Sequence, residues 1–310
     1  MRLRESGSFR TDRRVNAGRP ANRLFADEDR IVHHFERNPR DSTRHASRLL
    51  GTNNHMAVWR VLRQNNFHPF HFQRVQGLLE ADFAPRLQFS NWFLRQEEEH
   101  ENFAKRILFT DEAFFCRDGV FNIHNSHHWQ VNNPHVIYPH SHQHRFSVNV
   151  WAGIVSDNLI GPYLMPSPLN GEVYRVFLQE VLPQLLENVP LNIRRLMWYQ
   201  HDGAPAHYYR GARQVLDETF PNRWIGRGSP VVWPARSPDM TPLDFFLWGA
   251  MKNLVYETPV DSEIELVGRI VAAAEEIAEI PDVFQSVRQS LHERCVKCTE
   301  VNGGNFEQLL

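Results

Sequence analysis

The chain has little cysteine: three residues in 310, Cys116, Cys295 and Cys298. That scarcity excludes a disulfide framework and fits a reducing compartment. Cys295-x-x-Cys298 has the spacing of half a zinc site, but no second cysteine pair exists to complete it, so two helix-borne thiols is the preferred reading. Long apolar runs are also absent. None approaches the roughly 20 residues that a membrane-spanning helix needs, so no membrane role is expected. The opening MRLRESGSFRTDRR has no apolar stretch of the kind that marks a secretory signal. Lysine is missing from the first 66 residues, which hold 14 arginines against seven acids, a formal +7. The other 244 residues hold 20 basic and 29 acidic side chains, a formal −9. A basic head on an acidic body points to a polyanionic partner for the head, and arginine is the cation that forks onto phosphate and guanine edges.

Residues 1–24 read as a basic arm or linker. Its Gly18-Arg19-Pro20 has the form of an extended arm that could place Arg19 in a narrow DNA groove, or of an ordinary linker. Residues 25–66 predict three short helices. Ile31, Val32 and Phe35 would bury one face of the first, and Asp41-Ser42-Thr43 supplies a cap for the second. The second carries Ala46, Leu49 and Leu50 inward and ends at Gly51. Thr52 or Asn53 would cap the third, with Met56, Val58, Trp59 and Leu62 inward. Two helices joined by a tight Gly-Thr turn suggest a helix-turn-helix, with Asn53, Asn54, His55, Arg60 and Arg63 facing DNA. A plain three-helix bundle is the competing reading.

Residues 67–104 read as a partly helical connector. From 105 onward the pattern becomes mixed α/β. Strands are predicted at Ile107–Thr110, Val120–Ile123, Phe146–Ile154, Leu196–Gln200 and Val231–Trp233. Helices are predicted over 171–186, 208–220 and 243–254, and an amphipathic helical tail over 262–295. The tail would turn Ile264, Val267, Ile270, Val271, Ala274 and Ile277 to one side.

Asp111 and Asp202 each follow an apolar strand, where an unpaired carboxylate is costly unless it is matched or holds a metal. A third acid near residue 243, Asp239 or Asp244, would complete a hard-oxygen set suited to Mg²⁺. The alternative is that these aspartates cap turns.

Four blocks in order now carry a resemblance: FTDEAFF (109–115), NVWAGI (149–154), HDGAPAH (201–207) and SPDMTPLDFFLWGAMK (237–252). The chain resembles the mariner-superfamily transposases from about Gly18 to its C-terminus. The resemblance implies an RNase H-like catalytic domain over 105–310, preceded by a small all-α helix-turn-helix domain. It implies the catalytic triad Asp111, Asp202 and Asp244, since the family's last acid stands five positions after the aspartate of Ser-Pro-Asp. It further implies two Mg²⁺ (or Mn²⁺) ions on the triad, double-stranded DNA as partner and substrate, a homodimer and nuclear localisation. The implied reaction is metal-dependent cleavage at transposon ends followed by transfer of the 3′-hydroxyl to target DNA.

The chain departs from the pattern in several places. Between Asp202 and Asp244 lie 41 residues, more than the mid-thirties of the best-known members, and the surplus is expected in a loop over 220–234. Gly203 stands where the family has Asn, removing a side chain beside the second carboxylate. Gly18-Arg19-Pro20 lies almost at the start, so the first of the family's two helix-turn-helix units is expected to be absent. These departures leave two alternatives open: a transposase-derived DNA-binding protein without transposition, or a nuclease without strand transfer. His201 and His207 flank Asp202 as candidates to orient it or to contact phosphate, with ordinary packing as the alternative. Glu112 is expected on the opposite strand face from Asp111, outside the triad. Seven histidines crowd 124–144, and those at 140, 142 and 144 have a spacing that zinc could use. The matching family segment is a loop that clamps a partner subunit, so dimer or DNA contact is preferred there.

Overall fold

A computed structural model describes residues 25–52, 54–70, 75–117 and 146–310. Arg19, Asn53, the strand expected at Val120–Ile123 and the histidines of 124–144 lie outside these residues. The chain divides into two compact units, Met1–Phe72 and Gln73–Leu310.

The first unit packs α1 (Phe25–Arg37), α2 (Thr43–Leu49) and α3 (His55–Gln64). Ser42 caps α2 by accepting the His45 backbone N–H at 3.1 Å, and Gly51, at φ +69°, follows its end. Asn54 caps α3, accepting from the Met56 N–H at 3.0 Å, so that cap falls after the positions expected for it. The inward stripe of α3 is Val58, Val61 and Leu62, an i, i+3, i+4 pattern that closes on Ile31, Phe35 and Ala46. Met56 and Trp59, expected inward, are exposed, as is Leu49 at the end of α2. Asn54, His55, Arg60 and Arg63 are all exposed.

The second unit opens with α4 (Glu80–Glu99), whose first turn is held by Asp82 accepting the Leu79 N–H at 2.8 Å. This helix belongs to the core of the unit: Phe89 and Phe93 are fully buried, and Arg86 and Ser90 share their face. The sheet has six strands in the order β3-β2-β1-β4-β5-β6. They are β1 (Ile107–Cys116), β2 (Ser147–Val155), β3 (Asn158–Met165), β4 (Trp198–Gln200), β5 (Trp224–Gly226) and β6 (Val231–Val232). β1, β2 and β3 pair antiparallel, whereas β4, β5 and β6 continue from β1 in parallel. β6 falls where a strand was expected, while β5 (Trp224–Gly226) is a further strand within the loop expected over 220–234.

Strand alternation divides the side chains between two cores. Ile107, Phe109, Ala113 and Phe115 of β1 face one core, with α4 and three C-terminal helices. These are α9 (Trp248–Val255), α10 (Glu263–Glu279) and α11 (Val283–Glu300). Leu108 of β1 and Trp151 of β2 face the other core. There they meet α5 (Gly171–Val176), a π turn over Phe177–Val181, α6 (Leu182–Leu185) and α8 (Arg210–Thr219). A short α7 (Leu191–Leu196) leads into β4.

The helical tail expected over 262–295 is broken, because Pro281 cannot donate to a helical ladder and Asp282 takes φ +54°. On α10 the buried stripe is Leu266, Ile270, Ala273, Ala274 and Ile277, which leaves Ile264 and Val271 exposed against expectation. Cys295 and Cys298 are buried thiols of α11. No helix among the described residues is long and apolar enough to cross a membrane.

One buried ion pair joins distant parts of this unit. The Arg86 guanidinium donates to both Asp239 carboxylate oxygens at 2.7 and 2.6 Å, to Ser237 Oγ at 2.9 Å and to the Gly303 carbonyl at 2.8 Å. Removing one partner of such a pair strands the other charge and costs about 3–5 kcal/mol. Arg86→Ala is therefore expected to lower the unfolding free energy measured by urea denaturation by an amount in that range. A destabilisation below about 1 kcal/mol would show that the pair does not organise the unit.

Candidate active site

β1 is hydrogen-bonded to β2 along Phe109–Cys116, but its ladder to β4 stops at the pairing of Phe109 with Gln200. Beyond that point the sheet splits. Two residues further along stand Asp111, within β1, and Asp202, beyond β4, and both line the opening. Asp111 lies within β1, which continues to Cys116, and not at a strand end as expected. Asp244 comes from a π turn over Leu243–Leu247 that leads into α9. The three carboxylates line one cleft of about 350 Å³, together with Thr110, Gln200, Gly203, Arg236 and Ser237. Asp239 is elsewhere, matched by Arg86 in the core, which separates the two candidates for a third acid.

Each carboxylate is held differently. Trp248 Nε1 donates to Asp111 Oδ2 at 2.7 Å. Asp202 Oδ1 accepts the Ala204 N–H at 2.9 Å and the His207 Nδ1–H at 2.7 Å. Burial, then the negative charges of Asp244 and Glu112, push Asp111 up to about 8. Asp244 is pushed up to about 6 by burial and by Asp202. Burial also acts on Asp202, but the hydrogen bond and charge of His207 outweigh it and hold that carboxyl below its ordinary value.

His207 is the centre of a second set of contacts. Its Nε2 lies 3.2 Å from Glu112 Oε2, an electrostatic contact without hydrogen-bond alignment. Burial opposes the imidazolium, yet Glu112 and Asp202 raise His207 to about 10. Glu112 is on the opposite face from Asp111, as alternation requires, and acts on Asp202 through this histidine. His201 is fully buried and stacks on His207 with ring centroids 4.8 Å apart. Its Nδ1 is 3.0 Å from the Tyr174 hydroxyl, and burial, followed by the charge of His207, holds it well below its ordinary value. The neutral His201 ring packs so tightly on Gly226 that a Cβ there would come within 2.4 Å of it. Gly203 has room: a Cβ would meet only Arg227, at 3.8 Å.

The donor set is chemically suited to a hard divalent cation. Asp111 and Asp244 have no ion-pair partner among the described residues, and their raised values express burial together with repulsion from neighbouring carboxylates, which a bound cation would offset. Oδ1 of Asp111 and Oδ2 of Asp202 take no hydrogen bond within the described residues and are available as ligands. As they stand, no three His, Cys, Asp or Glu side chains among the described residues are close enough to enclose an ion. The aspartates border the cleft without crowding one another.

A mixed sheet with carboxylates at the split between β1 and β4 defines the RNase H-like class of fold. Likeness to known proteins agrees and narrows it. The chain superposes on Mos1 transposase in its paired-end complex with the left transposon end with a TM-score of 0.70 at 21% identity, covering 97% of this chain and 85% of that one. The isolated catalytic domain of Mos1 mariner transposase matches with a TM-score of 0.56 at 22% identity, covering 76% of this chain and all of that one. Mos1 structures solved with Mn and with Mg match as well. In sequence, the Tc3 transposable-element transposase of Caenorhabditis elegans is 24% identical over 185 residues, 59% of this chain. The chain spans half the length of that relative. No protein-family model matches. The fold is that of the mariner transposases, as the motif blocks led us to expect.

The raised Asp111 sets a pH dependence. Between its unfolded value near 3.8 and its folded value near 8, the folded state binds the extra proton, so this residue lowers stability as pH rises through that window. With chelator present, Asp111→Asn is therefore expected to be more stable than wild type at pH 8, with the difference vanishing near pH 4. Equal unfolding midpoints at both pH values would refute the buried, repelled carboxyl.

Proposed function

We propose that the chain is a mariner-superfamily DNA transposase that cuts DNA at transposon ends and joins the 3′-hydroxyl to target DNA. The observation that carries this reading is the convergence of Asp111, Asp202 and Asp244 on one cleft of a sheet with the Mos1 fold. Mg²⁺ or Mn²⁺ held by these carboxylates would supply charge stabilisation for in-line displacement at phosphorus. The chain's own residues fix the carboxylates. Trp248 orients Asp111, while Ala204 and His207 fix one oxygen of Asp202 and leave the other toward the cleft. Glu112 keeps His207 charged, and His201 backs it from below.

In this reading the first unit is a helix-turn-helix that docks α3 on duplex DNA. Arg60 and Arg63 are exposed there, and Asn54 is partly committed to its cap. The same reading places the protein in the nucleus, acting as a dimer on paired ends. A second reading, a DNA-binding descendant without transposition, is favoured by the space at Gly203, where no side chain braces the second carboxylate.

Nicking of supercoiled plasmid separates the two. Mg²⁺- or Mn²⁺-dependent nicking by wild type and at least a hundred-fold loss in Asp202→Ala is the expected result. An inactive wild type that still binds plasmid would favour the second reading. Duplex binding tests the first unit separately. Arg60→Ala and Arg63→Ala should each weaken affinity and reduce the slope of log K against log salt by about 0.9, the value for one phosphate neutralised by one side chain. An unchanged slope would take both side chains off the DNA backbone.

A further inference from the structure

We infer that Tyr208, Arg213 and Arg227 form a second contact site, a subsite for the phosphodiester backbone of a DNA strand entering the carboxylate cleft. This rests on the reading of the cleft as a DNA-processing site. The guanidinium carbons of Arg213 and Arg227 lie 4.5 and 4.3 Å from the centroid of the Tyr208 ring. Two cations share one aromatic ring, and Tyr208 is 40% exposed. Several other arginines of this unit are matched by carboxylates: Arg86 by Asp239, Arg175 by Glu172, Arg269 by Glu265 and Arg288 by Asp157. Arg213 and Arg227 have no ion pair among the described residues, and Arg213 Nε is buried without a hydrogen-bond partner.

The position of the cluster supplies its occupant. Arg227 flanks Gly203, which lines the carboxylate cleft. Gly228, at φ +79°, follows Arg227 and lies against the cluster: a Cβ there would come within 3.1 Å of the Tyr208 ring and 3.4 Å of Arg213. Two unneutralised guanidiniums held on one ring gain from a nearby anion, and guanidinium suits phosphate in both charge and shape. The Tyr208 ring, with both guanidiniums over it, holds them in place, and such arginine–aromatic contacts contribute to holding single strands without sequence preference. A polyanion guided by this cluster would arrive at the mouth of an otherwise acidic cleft.

The test uses the full chain and a fluorescein-labelled single-stranded DNA of about 15 nucleotides, which avoids the duplex contacts assigned to α3. Binding is measured by anisotropy in EDTA across a series of KCl concentrations. Arg213→Ala/Arg227→Ala should weaken binding about ten-fold or more and reduce the salt slope by about 0.7 for each phosphate no longer neutralised. Arg213→Lys/Arg227→Lys should keep the slope, and Tyr208→Ala should weaken binding with the slope unchanged. Arg227→Ala alone, an exposed position, guards against misfolding of the double variant and should show half of the slope change. Wild-type affinity and slope in Arg227→Ala would overturn the subsite, as would no oligonucleotide binding by wild type or equal competition by polyglutamate. Plasmid nicking lost in Asp202→Ala, alongside unaltered oligonucleotide binding in both arginine variants, would overturn the subsite and leave the cleavage reading standing. Arginine-dependent binding by a wild type that nicks nothing would support the subsite while the cleavage reading fails.

Discussion

The pairing of Arg86 with Asp239 holds the second unit together at the point where its carboxylate cleft is built. Arg86 comes from the middle of α4, Asp239 from the turn before the last cleft residue, and the carbonyls of Gly303 and Gly304 from the end of the chain. Both charges are out of water, so neither can be removed without stranding the other. Arg294 adds a bond from α11 to the Asp239 carbonyl at 3.0 Å. The Ser237–Thr241 segment is thereby tied to two helices and to the C-terminus. Asp244 follows directly, on a π turn that starts two residues after Thr241, so its position depends on an ion pair in which it has no part. The Asp82–Arg236 pair repeats the device one residue before Ser237, and Arg236 itself borders the cleft.

The sheet supplies the other two carboxylates by failing to close. Parallel pairing between β1 and β4 ends at Phe109 and Gln200, while β1 runs on against β2 alone. The Thr110 hydroxyl bridges part of the split by donating to the Gln200 carbonyl at 2.7 Å. Asp111 and Asp202 are consequently fixed by backbone register, and a shift of one residue in β4 would turn Asp202 away. Their electrostatic difference comes from what lies beneath them: Asp202 has the charged His207, whereas Asp111 has only the neutral indole N–H of Trp248.

The sequence made the cleft legible because it is built from contiguous strands and motif blocks. Ile107–Thr110 and Leu196–Gln200 are apolar runs ending near acids, and Ser237–Asp239 marks the turn before Asp244. Other parts were hidden for physical reasons. α4 reads as a connector because its buried face includes Asp82, Arg86 and Ser90, polar residues whose partners lie 150 or more positions away. β3 carries Gly161-Pro162 in its middle, which argues against a strand unless the strand is at an edge, as β3 is. There the register slips opposite Trp151 and Gly153, and the bulge absorbs the proline. The role of Glu112 could be read only halfway. Alternation put it opposite Asp111, but nothing in a linear pattern shows that His207 crosses the split to reach it. In the first unit, Val58 and Leu62 admit more than one inward stripe; the structure closes it with Val61 and leaves Met56 and Trp59 at the surface.

Charge then imposes a condition on any nucleic acid that approaches the second unit. The chain beyond residue 66 carries a formal −9, and its cleft adds three carboxylates with little local compensation. A polyanion meets repulsion at such a surface unless local positive charge intervenes. Two features of the structure lower that barrier. Asp111 and Asp244 bind protons more readily than ordinary aspartates, so without a cation the cleft is less negative than its composition suggests. Arg227, unpaired among the described residues, stands at its margin beside Gly203. The absence of a side chain at Gly203, which reads in the sequence as a lost hydrogen bond, also leaves that arginine with open access to whatever enters the cleft.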